Sequence, residues 1–372
     1  MINMIIYKCG GNMKSMYIHI PFCNTICTYC DFCKQFYNET NVKKYLKALY
    51  EEIEDRYNGE ELDTLYIGGG TPSSLNILEL KELFNIIKKI NTNNLKEFTF
   101  ECNVNDIDEN LIKLLKENKV NRISIGVESF DKSKLKFMER FSDYNDVQNK
   151  VEMIRKNGIN NINIDLMYGI PGETLKILKK DLDLILKLKP NHISTYSLIL
   201  EEYTKLSINN VEPIDEELEL EMYYYIVNKL KKKKYHHYEI SNFALNENES
   251  LHNLNYWNNE EYYGFGLGAS GYIDGIRYEN TKNLNKYIDN NFVLKEEIVG
   301  IREKQENELM LGFRKVNGIN LQDFFDKYGV NMQDVFPIKP LLKNKDLIYK
   351  DGYVFINPNK LYIMNEILLK LI

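Results

Sequence analysis

What most constrains this chain is a rhythm. Six short apolar runs, at 17–20, 64–67, 97–101, 122–127, 162–166 and 192–198, alternate with stretches of helical period at 41–58, 75–90, 108–117, 145–157 and 174–188. In the first helix pattern Val42, Tyr45, Leu46, Leu49, Ile53 and Tyr57 share one face, and Gly59 supplies a stop. Such alternation specifies βαβ units and therefore a parallel sheet. Six units fall short of the eight of a complete barrel. The expected fold is α/β, an open or partial (β/α)6 barrel. Polar and glycine residues gather just after the strands, at the edge where such folds build their sites.

After about residue 203 the rhythm breaks. A long helix pattern at 215–234 ends in four lysines, 231–234. A lysine run invites a nucleic-acid or membrane surface; the plainer reading is a solvated helix end, favoured by the helix dipole. The charge balance supports the plainer one. There are 48 Lys and Arg against 54 Asp and Glu, net −6, so no nucleic-acid partner is expected. With 44% hydrophobic residues the composition is globular, and no run approaches the ~18 apolar residues of a membrane span. The first dozen residues lack the charged start and small-residue cleavage site of a signal peptide. A cytoplasmic location is expected, with peripheral membrane contact left open. The expected organisation is a leader at 1–14, a barrel at 15–205, a segment at 206–300 holding HNLNYW and a glycine-spaced stretch at 264–271, and a small, mostly helical C-terminal domain at 301–372 with a strand pair near 347–356.

The chemistry concentrates in the cysteines. Of six, Cys23, Cys27 and Cys30 form C-x3-C-x2-C, with Cys33 close behind; Cys9 and Cys102 stand alone, the latter in a strand. Thiols clustered in one tight loop hold metal more readily than they staple distant segments. Three thiolates suit an iron–sulfur cluster and leave one iron open. Structural zinc takes four ligands, for which Cys33 could serve, although the loop lacks a second separated pair.

With this loop in view, the sequence resembles the radical S-adenosylmethionine (SAM) proteins, and within them the HemN/HemW group. YIHIPFC, GGGTP, RISIGVESF, NIDLMYGIPGET, EISNFA and HNLNYW occur in the group's order, from Tyr17 to the C-terminal region. The resemblance implies a partial radical-SAM barrel with a 4Fe–4S cluster on Cys23, Cys27 and Cys30, its open iron chelated by SAM. It also implies an electron donor for the cluster. Tyr17 and Tyr29 match aromatic positions around the cysteines. Gly69, Gly70 and Thr71 match the motif at the methionine end of SAM, where glycine allows close backbone approach. Glu101 matches the carboxylate that holds SAM's ribose or amino group. Arg140 and Asp165 match two further SAM-contacting positions, and Ile199 falls where a backbone or apolar contact is expected. Glu128 stands where the group has glutamine, so it keeps an acceptor and loses an amide donor.

Taken singly, these residues have plainer readings. Three glycines before Thr-Pro make a turn, Glu101 is a strand-end acid and Arg140 is a solvated arginine. Asp165 says more, because a carboxylate inside an apolar run needs a partner. Cys33 is taken as a non-ligand.

The group has two branches. HemN enzymes are oxygen-independent coproporphyrinogen III dehydrogenases, oxidative decarboxylases of heme biosynthesis, with a long N-terminal extension; here 22 residues precede Cys23. HemW proteins bind heme and pass it to hemoproteins, and HNLNYW matches their HNxxYW motif. A neutral His252 suits axial ligation of heme iron, and Tyr256 and Trp257 offer flat apolar area to a porphyrin. The plainer reading is a polar loop with a satisfied histidine. His236 and His237, next to Tyr238, are secondary candidates, with a surface position the plainer expectation. The resemblance therefore implies heme, SAM and a 4Fe–4S cluster as cofactors and acceptor hemoproteins as partners, with decarboxylation as the alternative.

Overall fold

The computed structural model describes residues 14–372. Cys9 and all of the expected leader but Lys14 lie outside the described residues. All six expected strands form: β1 (Ser15–Ile20), β2 (Thr64–Gly69), β3 (Glu97–Asn103), β4 (Arg122–Glu128), β5 (Asn161–Tyr168) and β6 (His192–Ser197). They lie in chain order and pair in parallel. Between them run α1 (Glu39–Arg56), α2 (Ile77–Ile87), α3 (Glu109–Glu117), α4 (Lys132–Met138), α5 (Tyr144–Lys156) and α6 (Leu175–Leu188). The starts are chemically marked. Side chains of Asn38, Asn76, Asp108, Asp131, Asp143 and Thr174 accept first-turn N–H groups, and Asn76 with Glu79 closes a capping box. Asn76 also sets the start of the helix expected at 75–90, which forms as α2 after a separate 3₁₀ turn, Pro72–Ser74. Helix α1 stops at Tyr57, before Gly59. The seven-residue α4 is not among the helices the sequence pattern announces.

The strands alternate sharply. Leu65 and Ile67, Phe98 and Phe100, Ile123 and Ile125, and Ile162 and Ile164 are buried in the main apolar cluster. Their neighbours in sequence, such as Thr99, Arg122, Ser124, Asn163 and Ser194, are polar and also buried. Successive side chains of a strand face opposite sides. One side is packed with apolar groups; the other fills the barrel with hydrogen-bonding groups.

The sheet continues past the expected six strands on both sides. His236–His237 (β7) and Asn242–Ala244 (β8) add antiparallel strands beyond β6. At the other edge Tyr262–Phe265 (β9) runs parallel to β1, followed by antiparallel Ser270–Ile273 (β10), Ile276–Asn280 (β11) and Val293–Ile298 (β12). The result is one sheet of twelve strands. The glycine-spaced stretch is thus partly strand. A Cβ on Gly264 would lie 1.8 Å from the Ser270 carbonyl oxygen, so only glycine lets β9 and β10 approach.

Beyond the barrel are α7 (Glu216–Lys232), α8 (Leu251–Trp257) and α9 (Ile301–Gly312). The lysines at 231–234 are exposed, as a solvated helix end should be. The HNLNYW segment is helix α8 rather than a loop. His236 is exposed, whereas His237 is buried, stacked on Phe243 at 4.4 Å between ring centroids. The region after 301 is mainly helical, and the expected strand pair forms as Leu347–Lys350 and Tyr353–Ile356, joined by Ile319–Asn320. No described helix is long and apolar enough to cross a membrane.

Candidate functional site

A cavity of about 460 Å³ opens at the C-terminal ends of the central strands. Its walls include Cys23, Cys27 and Cys30, Gly69 to Thr71 after β2, Glu101 of β3, Glu128 of β4, Asp165 of β5, and Ile199 after β6. Parallel strands all end on one side, so residues far apart in sequence converge there. Cys102 is buried in β3.

The three thiols sit within a ring of donors. Thr71 Oγ1 donates to Cys23 Sγ at 3.4 Å and accepts from Asn103 Nδ2 at 3.1 Å. Asn103 Oδ1 in turn accepts from Arg140 Nη1 at 2.8 Å, and that nitrogen lies 3.7 Å from Cys27 Sγ. Arg140 Nη2 donates to the Gly126 carbonyl oxygen. Arg140 is therefore not a solvated arginine; it braces the cysteine loop against β3 and β4. Burial raises the Cys23 thiol and pushes Cys30 up to about 11. Cys33 is absent from the wall: its carbonyl meets His19 Nε2 at 2.7 Å, and its side chain packs against Gly268, where an added Cβ would lie 3.0 Å from Sγ. No three His, Cys, Asp or Glu side chains among the described residues converge on a single-ion site.

Three carboxylates carried by the strands face the same cavity. Glu101 Oε1 accepts from Tyr66 Oη at 2.6 Å and Oε2 from the Gly69 N–H at 3.1 Å. Burial still pushes Glu101 up to about 7, against those two hydrogen bonds. Glu128 is likewise pushed to about 7 by burial, opposed by Arg140 at 3.6 Å. It has a left-handed φ of 66°, where β4 is irregular against β5. Asp165 finds the expected partners, accepting from Asn163 Nδ2 at 2.7 Å and Ser124 Oγ at 3.4 Å; burial raises it too. Burial thus opposes full ionisation of all three, a pattern that marks functional sites.

Two of the expected residues lie elsewhere. Tyr17 is not on the cavity wall; its hydroxyl is bonded to His19 Nδ1 at 2.9 Å. His252 is only 1% exposed, on the floor of the barrel. Its Nδ1 meets Thr64 Oγ1 at 2.8 Å and its Nε2 meets Tyr256 Oη at 2.8 Å. Burial pushes it down to about 3, so it is neutral and satisfied. In this conformation neither ring nitrogen is open to a ligand. Tyr29 and the exposed Ile199 do line the cavity. Sequence reasoning missed Tyr66, Asn103 and Arg122, all on the wall. The signal was there in the period-2 polar positions of β2, β3 and β4, which mark the side facing the barrel interior.

Known proteins match this architecture. The sequence model of the Radical SAM superfamily matches residues 17–185. Heme chaperone HemW of Lactococcus lactis is 40% identical over 348 residues, 91% of each chain. HemW of Bacillus subtilis is 39% identical over 371 residues, covering 95% of this chain and 98% of its own. Among solved structures, the Escherichia coli coproporphyrinogen III oxidase HemN, a radical SAM enzyme, superposes with a TM-score of 0.85 at 19% identity over 96% of this chain and 89% of that one. That structure shares the fold. The sequence relatives share more, and by them the chain belongs to the HemW family within the radical SAM superfamily.

Proposed function

We propose that this chain is a heme chaperone that carries a 4Fe–4S cluster and SAM. The observation that carries this reading is the likeness to HemW proteins along almost the full length of both chains. The chemistry of the cavity fits the cofactors. Three thiols spread around one wall suit a cluster that presents a separate iron to each, and the donors from Thr71 and Arg140 suit its sulfur-rich charge. A single zinc ion would need its ligands gathered at one point. When bound, such a cluster supplies one-electron reduction and one open iron.

The chain's own residues do the holding. Cys23, Cys27 and Cys30 would bind the cluster. The backbone at Gly69 and Gly70, with Thr71, would take the polar end of SAM, and Glu101 its ribose or amino group. Glu128, Arg140 and Asp165 would flank it, with Tyr29 and Ile199 covering apolar faces. Tyr17 would act from behind the wall. His252 remains the candidate axial ligand for heme, on the condition that α8 leaves the floor and frees Nε2. The 15–205, 206–300 and 301–372 divisions would then correspond to cluster and SAM binding, the heme motif, and the C-terminal unit. The partners are acceptor hemoproteins and an electron donor, in the cytoplasm.

The second reading is oxygen-independent coproporphyrinogen III dehydrogenation, favoured by the fold shared with HemN. Anaerobic titration of heme into cluster-loaded protein, beside His252→Ala, separates the two. Saturable one-to-one binding in the Soret region, lost in the variant, supports a carrier using His252. Absence of specific binding overturns the carrier and turns the test to decarboxylation of coproporphyrinogen III.

A further inference from the structure

A continuous column of side chains joins the barrel floor to the cavity. Helix α8 is docked by Glu97 at the start of β3, which accepts from Ser250 Oγ at 3.1 Å, Leu251 N at 2.9 Å and His252 N at 3.2 Å. Thr64 Oγ1 donates to Ser15 Oγ at 2.8 Å, so the network is satisfied when His252 Nδ1–H donates to Thr64 and Nε2 accepts from Tyr256. The imidazole then supports Tyr66, its ring centroid 5.1 Å away and tilted by 32°. Tyr66, finally, carries the hydroxyl that donates to Glu101.

Glu101 has little freedom of its own. Gly69 N–H holds one oxygen, and a Cβ on Gly68 would lie 2.8 Å from the carboxylate, so the group packs closely against β2. The remaining donor is Tyr66, and what supports the Tyr66 ring from below is a residue of the HNLNYW helix. We propose that Tyr66 is a positioning residue that fixes the Glu101 carboxylate on the cavity wall and ties it to helix α8, so that a shift of that helix changes how the cavity holds SAM. The inference rests on the reading of Glu101 as a SAM-binding carboxylate. It gives the heme motif a physical route to the SAM site: withdrawing His252 lets the Tyr66 ring drop, and the hydroxyl leaves Glu101.

The test is SAM affinity, by equilibrium dialysis on cluster-loaded protein across pH 6–9, for wild type, Tyr66→Phe, His252→Ala and His252→Phe. Tyr66→Phe keeps the ring and deletes a hydrogen bond to a charged acceptor, so affinity falls by roughly 10- to 100-fold. The pH midpoint of binding also moves upward, because the lost donor had favoured the ionised carboxylate. The Gly69 N–H, Asp165 and Arg122, which also act on Glu101, are unchanged in the variant and do not produce that shift. His252→Ala weakens SAM binding although His252 is off the wall, and His252→Phe, which restores a flat ring beneath Tyr66, recovers most of it. If His252→Ala does not fold, Tyr66→Phe decides alone. A Tyr66→Phe protein with wild-type affinity and midpoint overturns the inference while leaving the SAM reading intact. A wild type that binds no SAM overturns both.

Discussion

At single residues, the cavity tolerates very little. Gly70 has a Cβ position only 2.8 Å from the Pro21 backbone and 3.0 Å from Cys23 Sγ. Neither is the far end of a flexible side chain, so Gly70→Ala must push the first cysteine out of place. Iron and sulfide content after reconstitution is expected to fall severalfold, and a variant that loads like wild type sinks the assignment. Glu239 makes a different point, away from the cavity. It is 1% exposed, its Oε1 has no hydrogen-bond partner, and burial pushes it up to about 7. A carboxyl whose folded value lies above its unfolded one, about 4.3, stabilises fully below that unfolded value. The contribution is lost as pH rises through 7. Glu239→Gln removes this loss and should gain on the order of 1–3 kcal/mol relative to wild type between pH 5 and 8. Urea unfolding at the two pH values checks it; an unchanged pH slope refutes it.

Among elements, legibility followed physical distinctness. The six strands were visible because each is a compact run between turn residues, and helices α1, α3, α5 and α6 because apolar periodicity coincides with an Asn, Asp or Thr cap. Helix α4 was not, since seven residues hold barely two turns. Strand β9 was hidden because its partner, β1, lies far back in the sequence, and only that pairing makes its glycines intelligible. The clustered cysteines and the need of Asp165 for a partner could be read from residue type and spacing, and Glu101 stood out only through the family resemblance, whereas the burial of His252 depended on a helix docking under the barrel. The unforeseen α4 also holds a buried ion cluster. Lys134 Nζ donates to Glu173 at 2.6 Å, Asp181 at 3.2 Å and the Met167 carbonyl at 2.8 Å, with all three side chains almost wholly buried. The helix ends at Glu139, in a left-handed conformation, and delivers Arg140 to the cavity. Lys134→Met leaves two buried carboxylates without their cation, and should cost about 3–5 kcal/mol. Chemical denaturation measures it, and a loss below about 1 kcal/mol would mean that the cluster does not anchor α4.

Across the whole molecule, the barrel has a working edge and a floor, and the polar interior connects them. The strand ends carry thiols, carboxylates and glycines; the floor is closed by the helix bearing the HNLNYW motif. If heme takes His252 Nε2, Tyr256 must release it and α8 must move, which withdraws support from Tyr66 and so from Glu101. On the proposed assignments, SAM on Glu101 would favour the docked helix, and heme on His252 the displaced one. Two ligands that prefer different states of one element oppose each other, and linkage requires the opposition to be equal in both directions. Saturating SAM should therefore raise the heme Kd by the same factor by which saturating heme raises the SAM Kd. Coupling of this kind is typically about 5- to 150-fold. Paired Soret and dialysis titrations measure the two factors. Hydrogen exchange at 251–257 should meanwhile speed up on adding heme and slow on adding SAM. Equal heme affinity with and without SAM would show that the floor and the cavity are energetically independent, and would place the heme away from α8.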